Sequence, residues 1–162
     1  MPIRYGGERV RARSATFPGF DEAERTLVPH YSRLCKIVID VNEADHAEEV
    51  AFWQSATGQT LTHYASFPEY HGADLGSGEF GLLVQRLGEG SSRVHLDIHT
   101  DDLEAEVARL ERLGAKRVQH VHDRWWVMQD PAGLPFCVIP DPPGTLNDDN
   151  AQRWDDQADP ST

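Results

Sequence analysis

His95 and Asp97 lie two residues apart in the run RVHLDIH of residues 93–99, where polar and apolar residues alternate. Such alternation marks a β-strand, whose successive side chains point to opposite faces. Arg93, His95, Asp97 and His99 therefore share one face, and Val94, Leu96 and Ile98 the other, the apolar face that must meet the helix. An imidazole beside a carboxylate can exchange protons with a bound molecule or grip its polar part, so His95 and Asp97 are the candidate catalytic pair. The run KIVIDVN of residues 36–42 divides in the same way. Lys36, Val38, Asp40 and Asn42 face one side and Ile37, Ile39 and Val41 the other, which makes Asp40 a candidate ligand-binding residue. Trp125 and Trp126 are adjacent in a third strand-like run, so one indole packs under a helix while the other is offered to a flat ligand; both are carried as ligand-binding candidates. Cys137, within Phe136–Ile139, is either a buried small hydrophobe or a thiol facing a ligand. His120 and His122 point the same way along a strand, like a metal pair, but no third ligand is assigned beside them. His63 and His71 flank Tyr64, Phe67 and Tyr70, at a rim or facing water. The sequence contains no Gly-rich phosphate loop, nucleophile elbow, paired-Cys zinc motif or dinucleotide fingerprint.

The elements that must position these residues occur twice. Residues 36–56, moved on by 57 positions, lie on residues 93–113, with Asp40 on Asp97, Asp45 on Asp102, and Glu49, Val50 and Ala51 on Glu106, Val107 and Ala108. In each copy a period-two strand gives way to a helix-period segment that stops at a glycine, Gly58 or Gly114. The first helix is expected from Asp45, with Glu48 three residues on, and buries Val50 and Trp53. The second starts at Asp101 or Asp102 and carries the stripe Leu103, Val107 and Leu110. Extended stretches follow: Thr60–Phe67 and Gly81–Leu87 in the first half, with the turn region HGADLGSGE (71–79) and a further strand inside it between them. In the second half they are Lys116–Val121, Arg124–Gln129 and Leu134–Ile139, the last two joined by the turn Asp130–Gly133. Each half reads β-α-β-β-β, a repeated α+β module.

The 162 residues carry 15 Lys+Arg against 27 Asp+Glu, a formal net charge of -12. That charge repels phosphate backbones and anionic membranes, so neither nucleic acid nor membrane is an expected partner. No apolar run reaches the roughly 18–20 residues of a membrane span, and no secretory signal is read at the start. Two cysteines, Cys35 and Cys137, suit a reducing cytoplasm rather than a disulfide framework. The chain divides into an N-terminal arm (1–30), two modules (31–90 and 91–140) and an acidic tail (141–162) that is too polar to fold and is expected to be flexible. Ile3, Tyr5, Phe17, Phe20 and Leu27 give the arm a means to dock.

Two β-α-β-β-β modules, the stretch RVHLDIHTDDLEAEVARLERLGA and the closing QDPAGLPFCVI resemble the glyoxalase/bleomycin-resistance group, the vicinal oxygen chelate superfamily, over about residues 34–140. The resemblance implies an α+β fold whose paired modules curl a mixed sheet into a cup around a ligand cavity. Its metal-dependent members place ligands on the first and last strand of each module, and the matching positions are Val38, one in Leu83–Gln85, His95 and Cys137. His95 suits a metal, Gln85 adds a weak oxygen, and Val38 offers no donor, so the implied metal set is incomplete. Glyoxalase I activity is not expected, and no cofactor beyond an incomplete divalent-metal site is assigned. The resemblance leaves three readings: an enzyme of altered chemistry related to the lyases or dioxygenases of the superfamily, a metal-free protein that sequesters a small molecule, and a degenerate partner-binding domain. A small-molecule ligand is the expected partner, and a homodimer the expected assembly.

Overall fold

The first alternating run folds as β1 (His30–Asn42), the central strand of the molecule. The computed structural model describes residues 29–76 and 80–155; the docking expected of the N-terminal arm up to residue 28, and the tail beyond residue 155, lie outside them. After β1 come α1 (His46–Thr57), β2 (Thr62–His63), β3 (Tyr70–Leu75) and β4 (Phe80–Leu87). The second module gives β5 (Arg93–Thr100), α2 (Leu103–Arg112), β6 (Lys116–Val121), β7 (Trp125–Gln129) and β8 (Pro135–Pro140), and β9 (Gln152–Trp154) closes the described chain. No helix among the described residues is long and apolar enough to cross a membrane.

The helix boundaries follow local chemistry. Asp102 caps α2, its side chain accepting the Ala105 N–H at 3.0 Å, while Asp101 instead accepts the Tyr31 N–H at 2.7 Å and ties the turn to β1. Asp45 holds the corresponding place before α1 but makes no side-chain cap bond. Gly58 ends α1 in the left-handed region (φ 68°), where a side chain would be strained. Thr60–Phe67 does not form the single strand expected of it. Only Thr62 and His63 pair, because the chain turns on itself with Phe67 N–H donating to Tyr64 C=O and Tyr70 N–H to Phe67 C=O. The strand inside the HGADLGSGE region is β3, which pairs along its length with β4.

All strands join one open, curled mixed sheet in the order β2-β3-β4-β1-β5-β8-β7-β6, with β9 added to the start of β1. The antiparallel β1–β5 pair sits at the centre and sets Val38 against His95. Each partner has its module's last strand in parallel beside it. Asp40 stands opposite Gln85 across β1 and β4, and Asp97 stands opposite Cys137 across β5 and β8. This register relates Gln85 to Cys137 as the repeat relates Asp40 to Asp97, and picks Gln85 out of Leu83–Gln85.

One face of the sheet carries the helices. Ile39 and Val41 join Leu82, Val84 and Leu61 in a core that Val50 and Trp53 of α1 cover, as the alternation predicts. In the second module the face is right but the cover is not. Val107 and Leu110 pack on Met128, Val138 and Ile98, so α2 sits over β7 and β8. Val94 and Leu96, expected beneath α2, are instead 57% and 40% exposed.

The expected flexible tail is also corrected, up to residue 155. Leu146 is buried, β9 pairs with His30–Ser32, and Trp154 Nε1–H donates to Ser32 Oγ at 2.8 Å. The Arg109 guanidinium covers the Trp154 ring at 3.8 Å. Two aromatic or aliphatic anchors in an otherwise acidic stretch suffice to lay it on the fold.

Candidate functional site

The opposite face of the sheet forms a cavity of about 340 Å³. Val38, Leu83, Gln85, His95, Asp97 and Cys137, each from one of the four central strands, make its floor. Tyr70, Trp125 and Ile139 form walls, and the exposed Tyr64, Phe67 and Arg124 form the rim, with half-buried Lys36 beside Asp97 across the β1–β5 pair. Gly72 lets Tyr64 and Leu83 close in, since a Cβ there would come within 2.8 Å of Leu83 and 2.9 Å of Tyr64.

His95 organises the floor. Its Nδ1–H donates to Asp40 Oδ2 at 2.9 Å, and its Nε2 lies 3.4 Å from Asp97 Oδ1, an ion-pair distance without hydrogen-bond alignment. Arg93 Nε also reaches Asp40 Oδ2 at 2.9 Å. Burial by itself disfavours the imidazolium, but the partners Asp40, Asp97 and Cys137 outweigh it and push the His95 pKa up to about 12. His95 is thus a cation between two carboxylates. Burial pushes the Cys137 thiol up, against the pull of His95, and burial likewise keeps the Tyr70 phenol neutral. Cys137 therefore stays a thiol at neutral pH, not an activated thiolate.

Of the residues singled out in the sequence, His95, Asp97, Gln85, Cys137 and Trp125 line the cavity together. Asp40 does not line it: the side chain is 1% exposed and holds His95 from behind. Trp126 points to the helix side, where it stacks on His120 at 4.4 Å and donates to Glu104 Oε1 at 3.0 Å. The pairing of His120 with His122 fails as well. His122 sits in a turn at φ 49°, near Trp125, so the two imidazoles go to different neighbours. His63 and His71 lie outside the cavity lining and contact each other at 4.9 Å. Sequence reasoning missed Arg124 and the Arg93–Asp40 pair. Arg124 carries no periodic signal because it sits in a turn, whereas Lys36 was legible on the same face as Val38.

The glyoxalase-like domain family matches residues 36–139. The chain belongs to that family. No curated protein matches it. Among solved structures, a methylmalonyl-CoA epimerase in complex with methylmalonyl-CoA and NH4+ is similar at 15% identity and TM-score 0.52, over 70% of this chain and 96% of that one. A variant of the Streptomyces coelicolor epimerase in complex with 2-nitronate-propionyl-CoA gives 14% identity and TM-score 0.52, over 72% and 99%. A hypothetical protein from Bacillus halodurans gives 15% identity and TM-score 0.50, over 72% and 99%. At such identities the likeness is one of fold.

The residues of this glyoxalase-like domain do not fit the metal its superfamily implies. Val38 has no donor. A ring nitrogen of His95, a carboxylate oxygen of Asp97 and Cys137 Sγ lie within 4.8 Å of one another, the one such group of His, Cys, Asp or Glu among the described residues. Yet His95 is held as an imidazolium and Cys137 as a thiol, so a metal would have to displace two protons from a site whose carboxylates already have a cation between them. The floor presents instead a buried Asp97 Oδ1 that faces His95 Nε2 at 3.4 Å and has no hydrogen bond.

Proposed function

We propose that the cup is a metal-free binding site for a flat, largely apolar small molecule, whose polar end meets Asp97 and His95. The observation that carries this reading is the combination of aromatic walls, Tyr70 and Trp125, with an already neutralised His95–Asp97 floor. Trp125 and the rim ring of Phe67 supply stacking surface, and Lys36 and Arg124 favour a ligand with some negative charge. Proton transfer is the weaker use of this floor. A general acid works best with a pKa near the working pH, and an imidazolium held at about 12 gives up its proton reluctantly. Sequestration is therefore favoured over acid–base catalysis.

The aromatic anion 1-anilinonaphthalene-8-sulfonate tests the reading. Its fluorescence should rise on binding to the folded protein, unchanged by EDTA, and Trp125→Ala should weaken binding about fivefold or more. Binding that needs added metal, or that ignores Trp125→Ala, would overturn it.

We further propose a homodimer. Leu34, Val94 and Leu96, all exposed, lie close together on the helix-bearing side of the β1–β5 pair and give a second copy an apolar strip to cover. Light scattering should give twice the chain mass; a monomer mass at every concentration rejects the dimer.

A further inference from the structure

Among the described residues the two helices are covered unequally. α2 buries Glu106, Val107 and Leu110, and the segment ending in β9 lies against it through Trp154 and Arg109. α1 buries none of its residues completely. Between α1 and the β1–β5 pair runs a groove of about 590 Å³, floored by Ile39 and Val41 and walled by Trp53 and the exposed Phe52 and Val94. Asp45, Glu48 and Glu49 line its α1 side. With Phe52 they fall at the three- and four-residue intervals that set side chains on one face of a helix. Arg93, the one cation lining the groove among the described residues, turns its Nε onto buried Asp40 at 2.9 Å.

The internal repeat indicates what fits there. It sets Glu49 on Glu106 and Phe52 on Arg109. In α2 the helix's own Arg109 pairs with Glu106 at 2.7 Å, and an aromatic ring from the C-terminal segment, Trp154, lies on that guanidinium. In α1 the aromatic ring is the helix's own, and no arginine stands at the matching position. The complementary occupant is a stretch of chain that brings guanidinium groups to the carboxylates and stacks on Phe52. Carboxylates at a helix start are favourable on their own account, but that leaves Phe52 in water unexplained. One segment of this chain has that chemistry. Residues 1–20 hold Arg4, Arg9, Arg11 and Arg13 against a single acid, Glu8, in a chain of net charge -12. Arg9, Arg11 and Arg13 alternate with Val10 and Ala12, and Phe17 and Phe20 follow. Laid out in extended form, the three guanidiniums point the same way about 7 Å apart. Side chains along one helix face are about 5–6 Å apart, a close match. Reach is sufficient as well: Arg13 precedes His30 by 17 positions, about 55 Å of extended chain. β1 from His30 to Val41 spans only about 36 Å.

We propose that residues 9–20 of the N-terminal arm dock in this groove, with Arg9, Arg11 and Arg13 pairing with Asp45, Glu48 and Glu49, and Phe17 packing on Phe52. The arm then does for α1 what the segment ending in β9 does for α2. The groove meets the strip assigned to a second copy only at Val94, so Leu34 and Leu96 stay available to the dimer.

The test uses the full-length protein carrying Ser14→Cys and a nitroxide spin label. Cys35 and Cys137 are buried, which directs the label to residue 14. In amide proton–nitrogen spectra the signals of Glu48, Phe52 and Val94 should be lost to paramagnetic broadening, while those of β6 and β7 persist. Asp45→Lys with Glu48→Lys should restore the lost signals. Adding Arg9→Glu, Arg11→Glu and Arg13→Glu to that pair should remove them again, because the charges are then exchanged. Both helix positions are exposed, and an unchanged spectrum away from α1 shows that the fold is kept. Broadening that spares α1, or that survives Asp45→Lys with Glu48→Lys, would overturn the proposal. In a mixture of labelled, unenriched chains with enriched, unlabelled ones the α1 signals should persist; their loss there gives the groove to a second copy and overturns it equally.

Discussion

Glu106→Ala is expected to cost about 3–5 kcal/mol of folding stability, the range for breaking a buried charged pair. Glu106 is 0% exposed in α2, and four bonds hold it. Arg109 donates twice, Nε to Oε2 and the terminal nitrogen to Oε1, both at 2.7 Å; His30 Nε2 reaches Oε2 at 2.8 Å and Ser32 Oγ donates to Oε1 at 2.9 Å. Through them one carboxylate fastens α2 to β1, and Ser32 passes the connection on to Trp154 of β9. Burial alone would raise its pKa, but Arg109, His30 and Ser32 outweigh burial and hold it at about 2. Because the folded pKa lies below the unfolded one, this stabilisation is present in full above about pH 4.5. It is lost as pH falls from there towards 2, and amounts to about 3 kcal/mol from the shift. Urea unfolding at pH 7 and pH 3 checks both parts. The wild type should lose stability between those values more steeply than Glu106→Gln, which has no charge to titrate. Equal pH dependence in the two proteins would show that the carboxylate is not held as the geometry indicates.

Glu106 also shows where reading the sequence stops. On the repeat Glu106 aligns with Glu49, and in α1 Glu49 is half-buried and accepts the Trp53 indole N–H at 2.8 Å. The partners that hold Glu106, His30 and Ser32 of β1 and Arg109, are themselves engaged by β9, a three-residue strand within a stretch whose composition reads as solvated tail. Three residues hold no periodicity to detect, and their partner is over a hundred positions away. The two modules, their order and both helices were legible because period-two and helix-period patterns are local properties of the chain. The faces of β1 and β5 were legible for the same reason. Which helix covers which strand was not, since Leu96 and Val107 carry the same apolar signal whether or not they meet. For the site, alternation brought His95, Asp97 and Asp40 to one face, but only the register and curl show that Asp40 stands behind His95 and that Trp126 turns away from the cup.

Asp40→Ala should be nearly as damaging as the loss of Glu106, although a polar residue facing a cup would ordinarily be cheap to remove. Alternation alone suggests that truncating His95 or Asp97 empties a wet cavity. The structure reverses that expectation, because His95, Asp97 and Asp40 are only 5%, 4% and 1% exposed. Removing Asp40 takes away the 2.9 Å bond to His95 Nδ1 and the contact to Arg93, and leaves the imidazolium facing Asp97 alone at 3.4 Å. The expected cost is about 3–5 kcal/mol. Asp40→Asn keeps an oxygen acceptor without the charge, so it should cost less while lowering the His95 pKa. The sign for the wild type is opposite to that of Glu106: the folded pKa of His95 is raised, so its stabilisation is complete below about pH 6.5 and drains away as pH climbs towards 12. Proton–nitrogen correlation spectra of the imidazoles distinguish the cases directly. His95 should keep both ring protons through neutral and mildly alkaline pH in the wild type, and titrate lower in Asp40→Asn. A wild-type His95 that titrates near 6.5 would mean the two carboxylates do not clamp it. The cup floor would then be free to trade protons or accept a metal, and binding would lose its advantage over catalysis as the reading of this site.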